Sequence, residues 1–260
     1  MMKDYKAIFE SIETSLLEEG SKNLPKEKIQ EELNQFKHFD GRTYSDNGYF
    51  SKLVNVIFYS GFKAATVTAK LDIIHKHFPN FRTVANYGEP EIKIILADDR
   101  MIRNQNKIRA CVGNAKAFQE ILSEYGSFQK YIESFDALSS FENLMLLKEE
   151  LEYKFAGIGK ITTYHFLTDI GMPVLKPDRV ICRIFQRLGL IENEQQLLKT
   201  VIQGRKFAGA TCYPIRYIDI VFVAYGQVQS LEFGMEKGIC LKKKPLCNLC
   251  GAKDKTFAKN

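Results

Sequence analysis

One acidic residue is well placed for chemistry. Asp178 directly precedes a segment, Arg179–Leu188, whose apolar residues have helical spacing. The free N–H groups and the dipole at the start of a helix favour an ionised carboxylate. Such a carboxylate can stabilise the oxocarbenium-like sugar that develops as an N-glycosidic bond breaks, and it can orient or deprotonate the attacking water. The alternative is that Asp178 is only a helix cap, which would stabilise the helix by about 1 kcal/mol.

A short glycine-containing segment, Phe155–Lys160 (FAGIGK), separates two segments with helical spacing. Gly157 and Gly159 permit backbone angles that other residues avoid, so the chain can reverse within a few residues. The N–H groups of such a turn and of the next helix's first turn point outward together, and Lys160 adds positive charge. This arrangement would bind an anion, and a DNA phosphate fits it. The alternative is an ordinary glycine-rich corner between two helices.

Helices would have to position these residues, because helical spacing of apolar residues dominates the chain and strand-like alternation is scarce. The pattern predicts a compact all-α protein. The predicted helices are Tyr5–Leu17, Lys26–Phe36, Gly48–Tyr59, Ala65–His77, Lys107–Glu124, Phe141–Tyr153, Ile161–Ile170, Arg179–Leu188 and Ile215–Gln229.

Composition sets broad limits on the class of protein. Hydrophobic residues make up 45% of the 260 residues, which is typical of a folded protein and excludes a disordered chain. The net charge of +6 favours a polyanionic partner only slightly. The amphipathic start, residues 1–17, does not look like a signal peptide, and no stretch approaches the roughly 18 apolar residues of a membrane span. We therefore expect a soluble, cytoplasmic protein whose six cysteines are free, buried or metal-bound.

The hairpin segment, the helix after it and the sequence GMPVLKPDRVICRIF around Asp178 follow one another in a specific order. This order resembles the helix-hairpin-helix, Gly/Pro loop and aspartate of the endonuclease III superfamily of DNA glycosylases. The resemblance implies that Asp178 is the catalytic carboxylate. It also implies that Gly157, Gly159 and Lys160 hold the backbone of double-stranded DNA containing a damaged base.

The same resemblance implies how the chain is divided. A six-helix barrel, residues 47–172, would contain the hairpin. A second helical lobe, residues 1–46 and 173–260, would carry the catalytic aspartate and a C-terminal cysteine loop. We expect the protein to act as a monomer.

Bifunctional members of the superfamily use a lysine two positions after the second hairpin glycine to attack the sugar. The matching residue here is Ile161, which cannot act as a nucleophile. We therefore expect a monofunctional glycosylase without AP-lyase activity.

The segment Met101–Phe135 is similar to DNA-3-methyladenine glycosylase I in its I-R, K-I, G-N-A-x-A and F-x-x-Y-x-x-S-F patterns. The sequence departs from that family in three respects. The glutamate that contacts the base has no counterpart near Val56 to Phe58, the chain has no tryptophan, and the Cys/His zinc pattern is not recognisable. The resemblance implies an alkylated purine, such as 3-methyladenine, as the damaged base.

Aromatic residues could contact such a cationic base. Tyr49, Tyr59 and Phe62 lie on or beside the segment expected to form the base pocket, and their π faces could stack on the base. Aromatic residues at helical spacing are, however, more often part of a core. Ile102, in the Met101-Ile102-Arg103 turn, could be the apolar wedge that fills the space left by the extruded base.

Cys240, Cys247 and Cys250 have the C-x6-C-x2-C spacing of the first three ligands of the endonuclease III iron–sulfur loop. Such a cluster normally takes four thiolates. The position of the family's fourth cysteine is Thr256 here. Three alternatives are open: a 4Fe–4S cluster completed by Cys212 or an oxygen ligand, a zinc ion, or a loop without metal.

The sequence therefore predicts a monofunctional DNA glycosylase of base excision repair that acts on an alkylated purine. One alternative is an endonuclease III-like enzyme for oxidised pyrimidines. The other is a helix-hairpin-helix protein that binds DNA without catalysis.

Overall fold

The computed structural model describes residues 3–38 and 41–253. Within these ranges the chain forms fourteen α-helices, two short 3-10 helices and no strand apart from an isolated bridge between Ser230 and Met235. The predicted all-α class is confirmed. The helices are α1 (Tyr5–Gly20), α2 (Lys26–Asn34), α3 (Asp46–Tyr59), α4 (Ala64–Thr68), α5 (Leu71–His77), α6 (Phe81–Val84), α7 (Glu89–Ala97), α8 (Gln105–Tyr125), α9 (Phe128–Glu133), α10 (Phe141–Lys154), α11 (Lys160–Asp169), α12 (Arg179–Arg187), α13 (Leu197–Thr211) and α14 (Ile215–Gly226).

Eight of the nine predicted helices are present as single helices, and the predicted segment Ala65–His77 is divided into α4 and α5. Four of the observed helices, α6, α7, α9 and α13, are not among the predicted ones. Two of them, α6 and α9, have only four and six residues, which is too short to show a helical period. Two glycines, Gly204 and Gly209, weaken the helical signal of α13. The fourth, α7, begins directly after Gly88, whose N–H donates to the Glu91 carboxylate at 2.7 Å.

Contacts divide the chain into two compact units, which we call the central unit (residues 42–170) and the terminal unit (residues 1–41 and 171–260, as far as they are described). The sequence predicts these boundaries at 46/47 and 172/173. The six-helix barrel stays a prediction.

An aromatic cluster forms the core of the central unit. The Phe118 ring on α8 stacks on the Phe128 ring of α9, with centroids 4.4 Å apart and an interplanar angle of 13°. Phe50, Phe81 and Phe155 surround this pair, and all five side chains are buried. Each such burial contributes about 1.5–3 kcal/mol. Phe155 belongs to the predicted hairpin, so the hairpin is anchored directly in this core.

The terminal unit has its own aromatic core. Phe207 on α13 contacts Phe185 of α12, Phe222 of α14 and Phe9 of α1, with centroid distances between 5.0 and 6.5 Å. These four helices pack on one another around the cluster. They fix the position of the first turn of α12, which follows Asp178.

The loop before α12 is packed tightly against α13. Leu175 is fully buried, and its side chain lies over Gly204. A Cβ atom at Gly204 would lie 2.1 Å from Leu175 Cδ2 and 2.6 Å from Leu175 Cγ. Only glycine therefore lets the loop approach the helix this closely.

No single helix in residues 3–38 and 41–253 is long and apolar enough to cross a membrane. By length and composition alone, α13 and α14 pass that test as a pair, bent by 111°.

The contact between Leu175 and Gly204 gives a stability prediction. Gly204→Ala should lower the free energy of unfolding by about 1–3 kcal/mol, because the added methyl group overpacks the site. Gly209→Ala on the same helix is the matched control, since a Cβ there meets nothing within 4 Å. The control should raise stability by up to about 1 kcal/mol through helix propensity. Equal effects of the two substitutions in chemical denaturation would contradict the packing argument.

Candidate functional site

Asp178 is the N-cap of α12, as its position in the sequence predicts. Its Oδ1 atom accepts hydrogen bonds from the N–H groups of Val180 at 2.8 Å and Ile181 at 3.1 Å. Its Oδ2 atom lies 3.3 Å from Lys176 Nζ, and the side chain is 23% exposed. Two backbone dipoles and one ammonium group therefore surround a carboxylate that still reaches solvent. Its catalytic role stays a prediction.

The helix behind Asp178 is firmly anchored. Ile181, Ile184 and Phe185 are buried in the core of the terminal unit. Cys182, also buried, is no nucleophile, because burial raises the pKa of its thiol to about 11 and keeps it protonated near neutral pH. Asp178 therefore stays the candidate reactive group at this end of α12.

The hairpin lies entirely in the central unit, between α10 and α11. Gly157 has a positive φ of 78°, and a Cβ atom there would lie 3.0 Å from Ala110 Cβ. Gly159 is the N-cap of α11, and a Cβ atom there would meet nothing within 4 Å. Lys160 is exposed. Within the described residues no acceptor engages the N–H groups of Lys160 and Ile161, so they are available to an anion.

A buried asparagine holds the hairpin turn in place. Asn114 on α8 is 1% exposed, and its side-chain amide forms two hydrogen bonds with the backbone of Ala156. Asn114 Nδ2 donates to the Ala156 carbonyl at 2.9 Å, and the Ala156 N–H donates to Asn114 Oδ1 at 2.8 Å. Asn114 is the asparagine of the G-N-A-x-A pattern. Sequence reasoning noted the pattern but gave this residue no role.

The three residues predicted to contact the base differ in exposure. Tyr49 is 2% exposed, its hydroxyl donates to Gln129, and its ring contacts Phe128. Because Tyr49 is part of the core, it offers no free face to a base in this arrangement, and the spacing of aromatics in α3 could not reveal this. Tyr59 and Phe62 are different.

Tyr59 and Phe62 lie at the end of α3, near the start of α11. Tyr59 is partly exposed, and its ring centroid is 6.2 Å from that of His165. Phe62 is 40% exposed. The turn between them is held by Lys107, whose Nζ donates to the Ser60 carbonyl at 2.7 Å and to that of Ile57. Burial lowers the pKa of Lys107.

Two further predicted residues have clear positions. Ile102 is only 7% exposed. An intercalating wedge has to project from the surface, so this burial speaks against the predicted wedge role. Ile161, at the position of the lyase lysine, is 37% exposed at the start of α11.

The three clustered cysteines line one cavity of about 330 Å³ in the terminal unit. Two arginines of α12 hold the surrounding loop. Arg183 donates to the Cys240 carbonyl at 3.1 Å and to that of Gly226 at 2.7 Å. Arg187 donates to the Leu241 carbonyl at 2.8 Å and lies 3.2 Å from Cys240 Sγ.

The donor set does not fit a four-thiolate cluster. Cys212, the predicted alternative ligand, is exposed at the end of α13 and does not line the cavity. Thr256 lies outside the described residues. Within residues 3–38 and 41–253, no group of three or more His, Cys, Asp or Glu side chains is arranged to hold a metal ion. Among the described residues a tetrahedral zinc site has the same shortage of ligands.

Comparison with known families decides the identity of the chain. The family model of the methyladenine glycosylases matches residues 37–182, which is more than half of the chain. The chain belongs to the methyladenine glycosylase family. It is therefore a DNA glycosylase, an enzyme of base excision repair that removes a damaged base from DNA.

Solved structures support the fold of this methyladenine glycosylase family member. The 8-oxoguanine DNA glycosylase of Thermotoga maritima is 19% identical, with a TM-score of 0.52 over 82% of this chain and 96% of that chain. Endonuclease III in a trapped covalent complex with DNA is 16% identical, with a TM-score of 0.54 over 85% of this chain and 89% of that chain. These likenesses confirm the helix-hairpin-helix glycosylase fold.

The 3-methyladenine DNA glycosylase I from Staphylococcus aureus is also similar. It is 22% identical, with a TM-score of 0.45 over 54% of this chain and 84% of that chain.

The bonds between Asn114 and Ala156 predict a DNA-binding phenotype. Asn114→Ala should lower the free energy of unfolding by about 1–3 kcal/mol, because it leaves two backbone groups of the hairpin without their partner. It should also weaken binding to undamaged duplex DNA, measured by fluorescence anisotropy, because the turn loosens. Asn143→Ala is the matched control, since Asn143 bonds at the opposite end of α10. If Asn114→Ala binds DNA as tightly as the wild type, the hairpin does not depend on this asparagine.

The cysteine loop gives a prediction on metal content. Purified protein should contain iron and zinc far below stoichiometric amounts and show no visible absorption band, because the described ligands are too few. Arg187→Ala should increase cleavage of the loop by a protease, since it removes the bonds to Leu241 and Cys240, whereas Cys247→Ser should not. Stoichiometric iron that is lost in Cys247→Ser would show that the loop does bind a cluster.

Proposed function

We propose that this family member is a monofunctional glycosylase that hydrolyses the N-glycosidic bond of an alkylated purine such as 3-methyladenine in double-stranded DNA. The observation that carries the proposal is the geometry of Asp178. One carboxylate oxygen is fixed on the N–H groups of Val180 and Ile181, and the other lies beside Lys176. This carboxylate has a defined direction and a stabilised negative charge.

The chemistry of an alkylated purine suits this arrangement. Such a base is cationic and already a good leaving group, so the enzyme has little need of a general acid. As the C1′–N bond breaks, its electron pair leaves with the base and positive charge develops on the sugar. The Asp178 carboxylate stabilises that charge and orients the water whose oxygen bonds to C1′. The water proton passes to Asp178 or to solvent, and the products are a free base and an abasic site.

The hairpin supplies binding that does not depend on base sequence. The N–H groups at the start of α11 and the exposed Lys160 bind a backbone phosphate, and Gly159 leaves open space beside them. Gly157 lets the turn pack closely against Ala110. Since the candidate acid and the hairpin belong to the same chain, one copy has both parts of the machinery. We therefore propose that the enzyme acts as a monomer.

Tyr59 and Phe62 are the candidates for base contact. Both are accessible and aromatic, and Lys107 and the contact with His165 hold their end of α3 in place. Stacking of a cationic base on such rings contributes about 0.5–2 kcal/mol each. Tyr49 is left out of this proposal because it is buried.

The lesion class can be tested with methylated genomic DNA. Wild-type protein should release methylated purines, identified by chromatography of the freed bases, because cationic bases leave readily and stack on aromatic rings. Duplexes that contain an oxidised pyrimidine or 8-oxoguanine, assayed in parallel, should stay intact. Preferential release of an oxidised base would contradict the alkylated-purine proposal without affecting the glycosylase assignment.

The absence of a lyase step can be tested by borohydride trapping. An isoleucine at position 161 cannot form a Schiff base with the sugar, so no covalent enzyme–DNA adduct should form during turnover. Ile161→Lys is an informative partner variant, because it places an amine at the lyase position. A trapped adduct with the wild type would contradict the monofunctional proposal.

A further inference from the structure

Asp219 is a buried acidic residue in the terminal unit that the proposed reaction does not use. It lies on α14 and is 1% exposed. Its Oδ1 atom accepts a hydrogen bond from the Lys176 N–H at 3.0 Å, and its Oδ2 atom accepts one from Arg216 Nη1 at 2.7 Å. One carboxylate therefore joins α14 to the loop that ends at Asp178.

A buried carboxylate of this kind is a poor way to stabilise a fold. Burial raises the pKa of Asp219, while Arg216 and Lys176 oppose that shift. Removing an ion from water costs several kcal/mol, and packed apolar residues are often as stable as a buried ion pair. Stability alone therefore does not account for Asp219, and its bond to the loop before α12 suggests another role.

Asp219 binds the backbone of Lys176, the residue whose side chain pairs with Asp178. The Asp178 N–H donates to the Lys176 carbonyl at 2.8 Å, and Lys176 Nζ lies 3.3 Å from Asp178 Oδ2. Only Pro177 separates the two residues, and its ring restricts the backbone. Fixing the backbone of Lys176 therefore also fixes the origin of the side chain that pairs with Asp178.

Two other contacts hold the same loop further from the acid. Leu175 is packed against Gly204, and Arg205 Nη1 donates to the Pro173 carbonyl at 3.1 Å. These contacts set the path of the loop. The bond from Lys176 to Asp219 is the one that acts on the residue paired with Asp178.

We propose that Asp219 is a positioning residue for the glycosylase reaction: by holding the backbone of Lys176, it sets the Lys176–Asp178 pair and so the direction of the Asp178 carboxylate. This inference rests on the proposed catalytic role of Asp178. Positional errors of about 1 Å at a reacting group can lower a rate about 100-fold. In this role Asp219 acts through Lys176 and touches no substrate, and its charge also repels that of Asp178.

The test compares four variants of the full chain under single-turnover conditions on a duplex that contains one methylated purine. Asp219→Ala removes both acceptor oxygens and with them the bond to the Lys176 N–H, and Lys176→Met removes the pair with Asp178 from a partly exposed position. Asp178→Asn tests the acid itself. Glu13→Ala is the matched control, because Glu13 accepts its hydrogen bond from Tyr217, which lies on α14 like Asp219, and not from the loop before α12.

Each variant is measured for excision rate at saturating enzyme, duplex affinity and melting temperature. Asp219→Ala and Lys176→Met should each lower the excision rate roughly 10- to 100-fold, because the Asp178 carboxylate loses its fixed direction. Their duplex affinity should stay within about twofold of the wild type, because the hairpin is intact, and Glu13→Ala should keep the wild-type rate. A purely structural role would change the melting temperature of Asp219→Ala and leave the rate of its folded fraction unchanged.

The outcomes separate this inference from the proposed function. If Asp178→Asn excises at the wild-type rate, the catalytic role fails and the positioning role fails with it. If Asp178→Asn is inactive while Asp219→Ala and Lys176→Met keep the wild-type rate, only the positioning role is overturned. If Asp219→Ala does not fold, Lys176→Met decides, since a wild-type rate for that variant removes the route through which Asp219 would act.

Discussion

The first turn of α12 binds one oxygen of the Asp178 carboxylate, and this interaction holds the candidate catalytic group in place. Asp178 Oδ1 accepts hydrogen bonds from two N–H groups that would otherwise have no partner in α12. The carboxylate is thereby fixed on a helix that packs in an aromatic core. A cap of this kind stabilises any helix. What distinguishes Asp178 is that its second oxygen faces Lys176 and keeps access to solvent. The oxygen that caps the helix and the oxygen proposed for the reaction are therefore different atoms of the same side chain.

Both candidate functional loops are held by a buried polar side chain on a neighbouring helix. In the central unit, Asn114 bonds both backbone groups of Ala156 in the hairpin. In the terminal unit, Asp219 bonds the Lys176 N–H beside the acid. A buried polar group without a partner costs about 1–3 kcal/mol, so each pair is stable only when the loop adopts one conformation. This gives two irregular segments the order that reaction and DNA binding require.

The helix start at Asp178 and the hairpin were predictable because both depend on neighbouring residues in the sequence. The helix start is marked by a capping residue before apolar residues with helical spacing, and the hairpin by two glycines in a turn. Asn114 and Asp219 were not, because their partners lie 42 and 43 positions away and no local pattern announces such a contact. Spacing alone also could not tell that Tyr49 is buried, since buried and exposed aromatic residues share one helical period. Ile102 lies outside the helices, where no period indicates whether a side chain is buried.

The catalytic role of the Asp178 carboxylate is tested most directly by the rate at which Asp178→Asn releases a methylated purine when every duplex is enzyme-bound. The asparagine keeps the cap and the shape of the side chain but lacks the negative charge. We expect a rate roughly 100- to 1,000-fold below that of the wild type, with duplex affinity and folding intact. Release at the wild-type rate would show that the charge at the start of α12 takes no part in breaking the bond.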